Sequence, residues 1–190
     1  MGIDTPPDAL RDALLARYAE PHRRYHTLQH LRECLDAFAR DRAHAQRPGE
    51  VALALWFHDA IYDLLGHDNE RQSADWAHDA LRAAGIGAAS AQRVHDLIMA
   101  TKHDAQPDDP DARLLVDIDL SILGAPPARF AEYERQIRAE YAHVPPDVFE
   151  PRRRLILARF LARDPLYQTP GMRACCEAQA RINLRGAIGD

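Results

Sequence analysis

The stretch RYHTLQHL, residues 24–31, sets His26 and His30 four residues apart where a helix should begin. Positions i and i+4 share one helix face, a turn apart. Such a pair can hold a metal jointly, or divide the work so that one imidazole binds metal and the other moves protons. Two surface histidines would do neither, so the remaining polar residues have to discriminate.

The chain has ten histidines. Five precede an aspartate, at His58-Asp59, His67-Asp68, His78-Asp79, His95-Asp96 and His103-Asp104, so the dipeptide alone carries no signal. Most of these lie in polar surroundings or at expected helix ends, where solvated histidines are ordinary. His58-Asp59 differs, because it interrupts the apolar run VALALWFHDAIYDLL. A charged aspartate is almost never fully buried without a partner. The pair therefore needs a salt bridge, mutual hydrogen bonding or a cation. LLVDIDLSIL repeats the situation with Asp117 and Asp119 inside another apolar segment. Two residues apart on a helix cannot face one site, so only one of these carboxylates should bind. A single cation shared by His30, His58-Asp59 and one of the aspartates would satisfy all three intrusions. Mixed imidazole and carboxylate ligation suits Mn, Mg, Fe, Co, Ni or Zn.

An isolated histidine, a His-Asp pair after an apolar run and a distant aspartate together resemble the HD superfamily of metal-dependent phosphohydrolases. The residues that match are His30, His58-Asp59 and Asp119, spread over about 18–125. More narrowly, HRRYHTLQHL, WFHDAIYD, NERQSA, DIDLSILG, RAEY and EAQARINL resemble an uncharacterised bacterial branch of predicted HD phosphohydrolases. The resemblance implies a helical HD-type bundle and a divalent metal on His30, His58, Asp59 and Asp119. It also implies hydrolysis of a nucleotide or another small phosphate ester. Ile118 stands where HD proteins usually have alanine before the aspartate, which keeps Asp117 as an alternative ligand. YHTLQH further resembles the Tyr-His-Asn-x-x-His segment of cyclic-nucleotide phosphodiesterases, with Thr27 in place of asparagine. Carried across, His30 is the ligand and His26 the general acid. Related helical enzymes also perform lyase, hydratase or di-iron oxygenase chemistry. A non-catalytic helical protein that binds a nucleotide or a partner is the alternative from a different class.

Further residues could complete such a site. Glu70 in NERQSA either orients a ligand or serves as a first-turn acid favoured by the helix dipole. His103 in IMATKHD either contacts substrate or ends a helix, and Lys102 beside it reads as solvated. Arg138, Arg153 and Arg181 could clamp phosphate bidentately, or pair with Glu140 or Glu177. Cys175 and Cys176 read as ordinary helix residues.

Apolar residues recur at three- and four-residue intervals almost throughout, which predicts helices at about 7–19, 27–44, 49–65, 70–84, 89–101, 111–123, 127–142, 147–163 and 171–187. Breaks such as RPGE, GHDNE, AGIG, GAPP and VPPD punctuate them. LLVDIDLSIL could instead form a short strand, though it would lack a partner. With no repeat and no long linker, 190 residues predict one all-α domain, its metal-site core at about 18–125 followed by C-terminal helices at about 127–187. A net charge of -5 and a pI near 6.0 give no basis for a nucleic-acid partner or an anionic membrane surface. No stretch reaches the roughly 20 apolar residues of a membrane span. The opening MGIDTPPDALRDALL has neither the charge nor the apolar core of a leader, and Gly2 lacks the downstream hydroxyl of an acylation signal. Three cysteines form no disulfide framework, so a reducing cytoplasm is expected. The oligomeric state is left open.

Overall fold

The computed structural model describes residues 6–189; the positions 1–5 read for a leader or acylation signal lie outside them. Among the described residues the chain forms nine α-helices and no strand. They are α1 Asp8–Tyr18, α2 Leu28–Asp41, α3 Pro48–Phe57, α4 Asn69–Ala83, α5 Ala88–Met99, α6 Pro110–Asp119, α7 Pro127–Glu140, α8 Pro146–Leu161 and α9 Pro170–Ile188. Short 3-10 turns follow α2, α5 and α6, at Arg42–His44, Ala100–Lys102 and Leu120–Gly124. LLVDIDLSIL is thus the end of α6 and the turn after it, not a strand. Among the described residues no helix is long and apolar enough to cross a membrane.

Local chemistry explains where the helices begin. Thr27 caps α2, its hydroxyl accepting from the Gln29 amide at 3.3 Å. Proline opens α3, α6, α7, α8 and α9, a position where its missing N–H costs no helix bond. Between α4 and α5 the chain reverses through Gly85 at φ +83°, which a side chain would strain. There the Ile86 amide reaches Leu81 O at 2.9 Å and the Gly85 amide reaches Arg82 O at 3.1 Å, the two bonds of a Schellman ending.

The chain falls into two compact units, divided between Ile118 and Asp119. In the first unit α3 is central: Val51, Ala52, Leu53, Ala54, Leu55 and Phe57 are all buried, and α2, α4 and α5 pack around it. Phe57 meets the Trp76 ring of α4 edge-on at 5.5 Å. The core also takes in Leu114, Leu115 and Ile118 of α6.

One predicted boundary is corrected. The third helix ends at Phe57 and does not run to 65. The apolar pattern continues past this point, but the backbone leaves the helix because its carbonyls find other donors, described below. Beyond it, Asp63 and Asn69 tie the loop: the Asp63 amide donates to Asn69 Oδ1 at 3.0 Å and Asn69 Nδ2 donates to Asp63 O at 2.9 Å.

In the second unit, α9 packs against α8 and against the 3-10 turn Leu120–Gly124. Gly124 permits this approach, since a Cβ there would stand 2.7 Å from Cys176 Cβ and from Cys176 O. Asn183 Nδ2 donates to Leu123 O and Ala125 O, both at 2.8 Å, and Tyr167 Oη donates to Leu120 O at 3.0 Å. Glu177 fastens the segment before α9, accepting from the Leu166 and Tyr167 amides at 3.1 Å and from Arg181 Nε at 2.8 Å. Burial alone would raise the Glu177 carboxyl, but these donors outweigh it and hold the group below its ordinary value of 4.5. Its stabilising contribution is therefore present above that value and lost as the pH falls through the lower folded value. Glu177→Gln should cost about 2 kcal/mol at neutral pH in urea unfolding, and the deficit should shrink in acid. A difference independent of pH would show that the carboxylate charge is not what matters.

Candidate metal centre

The centre is built where the segment before α2 meets the end of α3. Arg23, in the turn between α1 and α2, has a side chain with no solvent exposure. Its Nε donates to Glu20 Oε2 at 3.1 Å, Nη1 to Asp59 O at 2.6 Å and to His26 O at 3.2 Å, and Nη2 to Ala60 O at 3.1 Å. The carbonyls of Asp59 and Ala60 are thus satisfied outside any helix, which is why α3 stops where it does. Tyr18 and Tyr62 present their rings to the guanidinium at 5.3 and 5.5 Å. Tyr18 Oη donates to Trp56 O and accepts from the Asp59 amide, both at 3.3 Å. Burial pushes the Tyr18 phenol up to about 12.

On this frame two imidazoles and a carboxylate converge. His30 Nε2 lies 3.1 Å from His58 Nε2. Asp59 Oδ2 lies 3.1 Å from His58 Nε2 and 3.4 Å from His30 Nε2. Both histidines are 1% exposed. His58 Nδ1 faces Leu55 O at 2.8 Å. A carbonyl only accepts, so Nδ1 carries the hydrogen and, in the neutral ring, Nε2 offers its lone pair to the cluster. Asp59 is largely screened from solvent, its side chain 17% exposed, and this desolvation by itself would raise its carboxyl. When protonated, the His58 and His26 rings, with hydrogen bonds from His30 and from His58 Nε2, overcome this and hold it well below the usual carboxylate range.

These separations fit donors around one ion. Two atoms each about 2.1 Å from a common centre are ~3.0 Å apart at a right angle and ~3.4 Å apart at the tetrahedral angle. Cys34, one turn after His30 on α2, places Sγ 3.7 Å from His30 Nδ1 and 3.8 Å from His30 Nε2. Asp119 is the last residue of α6, the helix whose preceding residues belong to the first unit. Its carboxylate groups with His30, Cys34 and His58, the ligand atoms lying within 4.8 Å of one another. The protein thus carries a cluster of histidine, cysteine and aspartate side chains that could hold a metal ion. Asp117 is not in that group and is buried.

His26 precedes the Thr27 cap, so it lies just outside α2 instead of sharing a helix face with His30. Its ring stacks on Tyr62 at 4.0 Å and stands 5.9 Å from the His30 ring, edge to face. Tyr62 is held there by its carbonyl, 2.8 Å from His22 Nε2.

The other predicted members are placed as follows. Glu70 stands in the first turn of α4. His103, at φ +56°, follows the 3-10 turn Ala100–Lys102, and Lys102 pairs with Asp68 at 3.7 Å. In the second unit Arg138 closes the α7–α8 turn, donating to Tyr141 O at 2.7 Å and Val144 O at 3.0 Å. Arg153 binds Glu134 with Nη2 to Oε1 at 2.5 Å and lies over Tyr133 at 4.9 Å. Arg181 pairs with Glu177 at 2.7 Å, the sequence-level alternative to phosphate binding. His78-Asp79 and His95-Asp96 form adjacent-residue contacts at 3.3 Å, and His95 also reaches Asp75 at 3.1 Å.

Sequence reasoning missed two members. Arg23 sits in HRRYH, where nothing local distinguishes it from its neighbour Arg24. Cys34 had a visible signal, its i+4 spacing from His30. Comparison of the chain with models of known families, with curated proteins and with solved structures gives no match.

Arg23→Met should lower stability by about 3–5 kcal/mol in urea or thermal unfolding, because three carbonyls and Glu20 lose their donor. Arg23→Lys should recover only a small part, since an ammonium cannot reproduce the planar fork. Full recovery by lysine would show that charge alone is needed there.

Proposed function

We propose that the protein is a metal-dependent phosphohydrolase acting on a nucleotide or another small phosphate ester. The observation that carries this reading is the convergence of His30 Nε2, His58 Nε2 and Asp59 Oδ2, with a third histidine, His26, beside them. The HD resemblance of the same residues supports it. A divalent cation, Mn, Mg, Fe, Co, Ni or Zn, would be held by His30, His58, Asp59 and Asp119. When bound, such a cation supplies Lewis-acid polarisation of a phosphoryl oxygen and of the attacking water.

The chain's own residues do the remaining work. The Leu55 carbonyl fixes the His58 tautomer, and Asp59 stays ionised beside both imidazoles. His26, held by stacking on Tyr62, delivers a proton from its imidazole to the leaving oxygen. Imidazole titrates near neutrality, which suits that task. Arg138 and Arg153 already serve internal acceptors, so an anionic substrate would compete with Val144 O and Tyr141 O for one and with Glu134 for the other.

Asp59→Ala and His58→Ala should each lose most bound metal on elemental analysis. They should also unfold more easily, because the remaining polar groups keep their burial without a cation. Full occupancy in both variants would reject the ligand assignment. Chelation should abolish hydrolysis, and added divalent ions should restore it to differing degrees. Silence of the metal-loaded protein against a broad panel of nucleotides and sugar phosphates would favour a binding protein. His26→Ala should keep its metal yet lose roughly 10²-fold or more in turnover. The loss should be smaller for nitrophenyl esters, whose leaving group needs no proton; an equal loss on both substrate types would remove His26 from the acid role.

A further inference from the structure

Cys34 changes the chemistry of the site. The ligand set implied by the HD resemblance contains only nitrogen and oxygen, whereas α2 brings a sulfur to the same place. His30 and Cys34 are one helical turn apart on α2 and both are 1% exposed. Sγ lies against the edge of the His30 ring, 3.7 Å from Nδ1 and 3.8 Å from Nε2, the latter being the atom that faces His58 Nε2 at 3.1 Å. A sulfur about 2.3 Å and a nitrogen about 2.0 Å from one tetrahedral ion are ~3.5 Å apart, close to that separation. A buried cysteine commonly serves as a small apolar side chain. This one instead belongs to a group of potential ligand atoms that includes two imidazoles. Cys175 and Cys176 provide the internal contrast, since neither belongs to it.

Taking the metal centre proposed above as its basis, we infer that Cys34 is a thiolate ligand of the cation held by His30 and His58, and that it makes the site selective for a thiophilic ion such as Zn over Mg or Mn. Thiolate is a soft donor that favours Zn, whereas Mg and Mn favour carboxylate, carbonyl and water. On binding, the thiol proton passes to solvent and the sulfur takes one position on the ion. Selectivity would then come from one helical turn carrying an N donor and an S donor.

The test uses the full chain carrying Cys175→Ser and Cys176→Ser, so that Cys34 is the sole thiol. Zn-loaded protein should show one sulfur scatterer at about 2.3 Å in X-ray absorption, beside lighter donors at about 2.0–2.1 Å. Co-loaded protein should show a sulfur-to-metal charge-transfer band that Cys34→Ser abolishes. The same substitution should weaken Zn binding by about tenfold or more while leaving Mn binding nearly unchanged. Stoichiometric Zn with only nitrogen and oxygen neighbours would overturn the thiolate and leave the proposed metal centre standing. Failure of this protein and of the unmodified chain to take up Zn, Co or Mn would overturn both. Should Cys34→Ser fail to fold, the absorption measurement on protein retaining Cys34 decides by itself.

Discussion

The arrangement of the candidate metal centre depends on one buried charge, the Arg23 guanidinium. Removing a charged side chain from water is costly, and the cost is offset only when nearly every donor finds an acceptor. Here Glu20 supplies charge, three backbone carbonyls accept the remaining bonds, and two tyrosine rings line the guanidinium. The acceptors come from two distant stretches, the turn before α2 and the chain just after α3. A single planar group therefore holds those stretches in register. His30 lies in the first turn of α2 and His58 directly follows the last residue of α3. Their Nε2 atoms meet because the backbones behind them are fastened together.

The same arrangement governs the electrostatics. A histidine can donate from one ring nitrogen while offering a lone pair on the other, and the Leu55 carbonyl selects which nitrogen of His58 does which. Asp59 adds a negative charge beside both rings, and its amide is anchored to Tyr18 Oη. The group is polar and its donors already converge, a setting in which an added ion meets donors that need little rearrangement. Support from backbone carbonyls and a phenol, rather than from mobile surface side chains, keeps the donors fixed.

Much of this was legible in the sequence, and the remainder was hidden for identifiable reasons. Periodicity placed the helices, because amphipathic and all-apolar stretches announce themselves locally. His58 and Asp59 stood out because polar residues inside VALALWFHDAIYDLL demand partners. The end of α3 was not legible, because the apolar pattern runs on and the donors that release its carbonyls lie 36 and 37 residues earlier. Arg23 was hidden for a related reason: nothing local distinguishes a buried arginine from a solvated one beside Arg24. The choice between Asp117 and Asp119 turned on helix phase, which a two-residue spacing poses without answering.

The contact between Phe57 and Trp76 has a practical side. The chain has two tryptophans, Trp56 and Trp76, and both belong to the first unit, on α3 and α4. Trp56 lies two residues before His58, and its carbonyl accepts from Tyr18 Oη. Indole emission from this protein therefore originates entirely in the first unit. Far-ultraviolet dichroism, by contrast, sums over every helix. Recording both on one sample would tell whether the two units melt together or separately, with no label introduced.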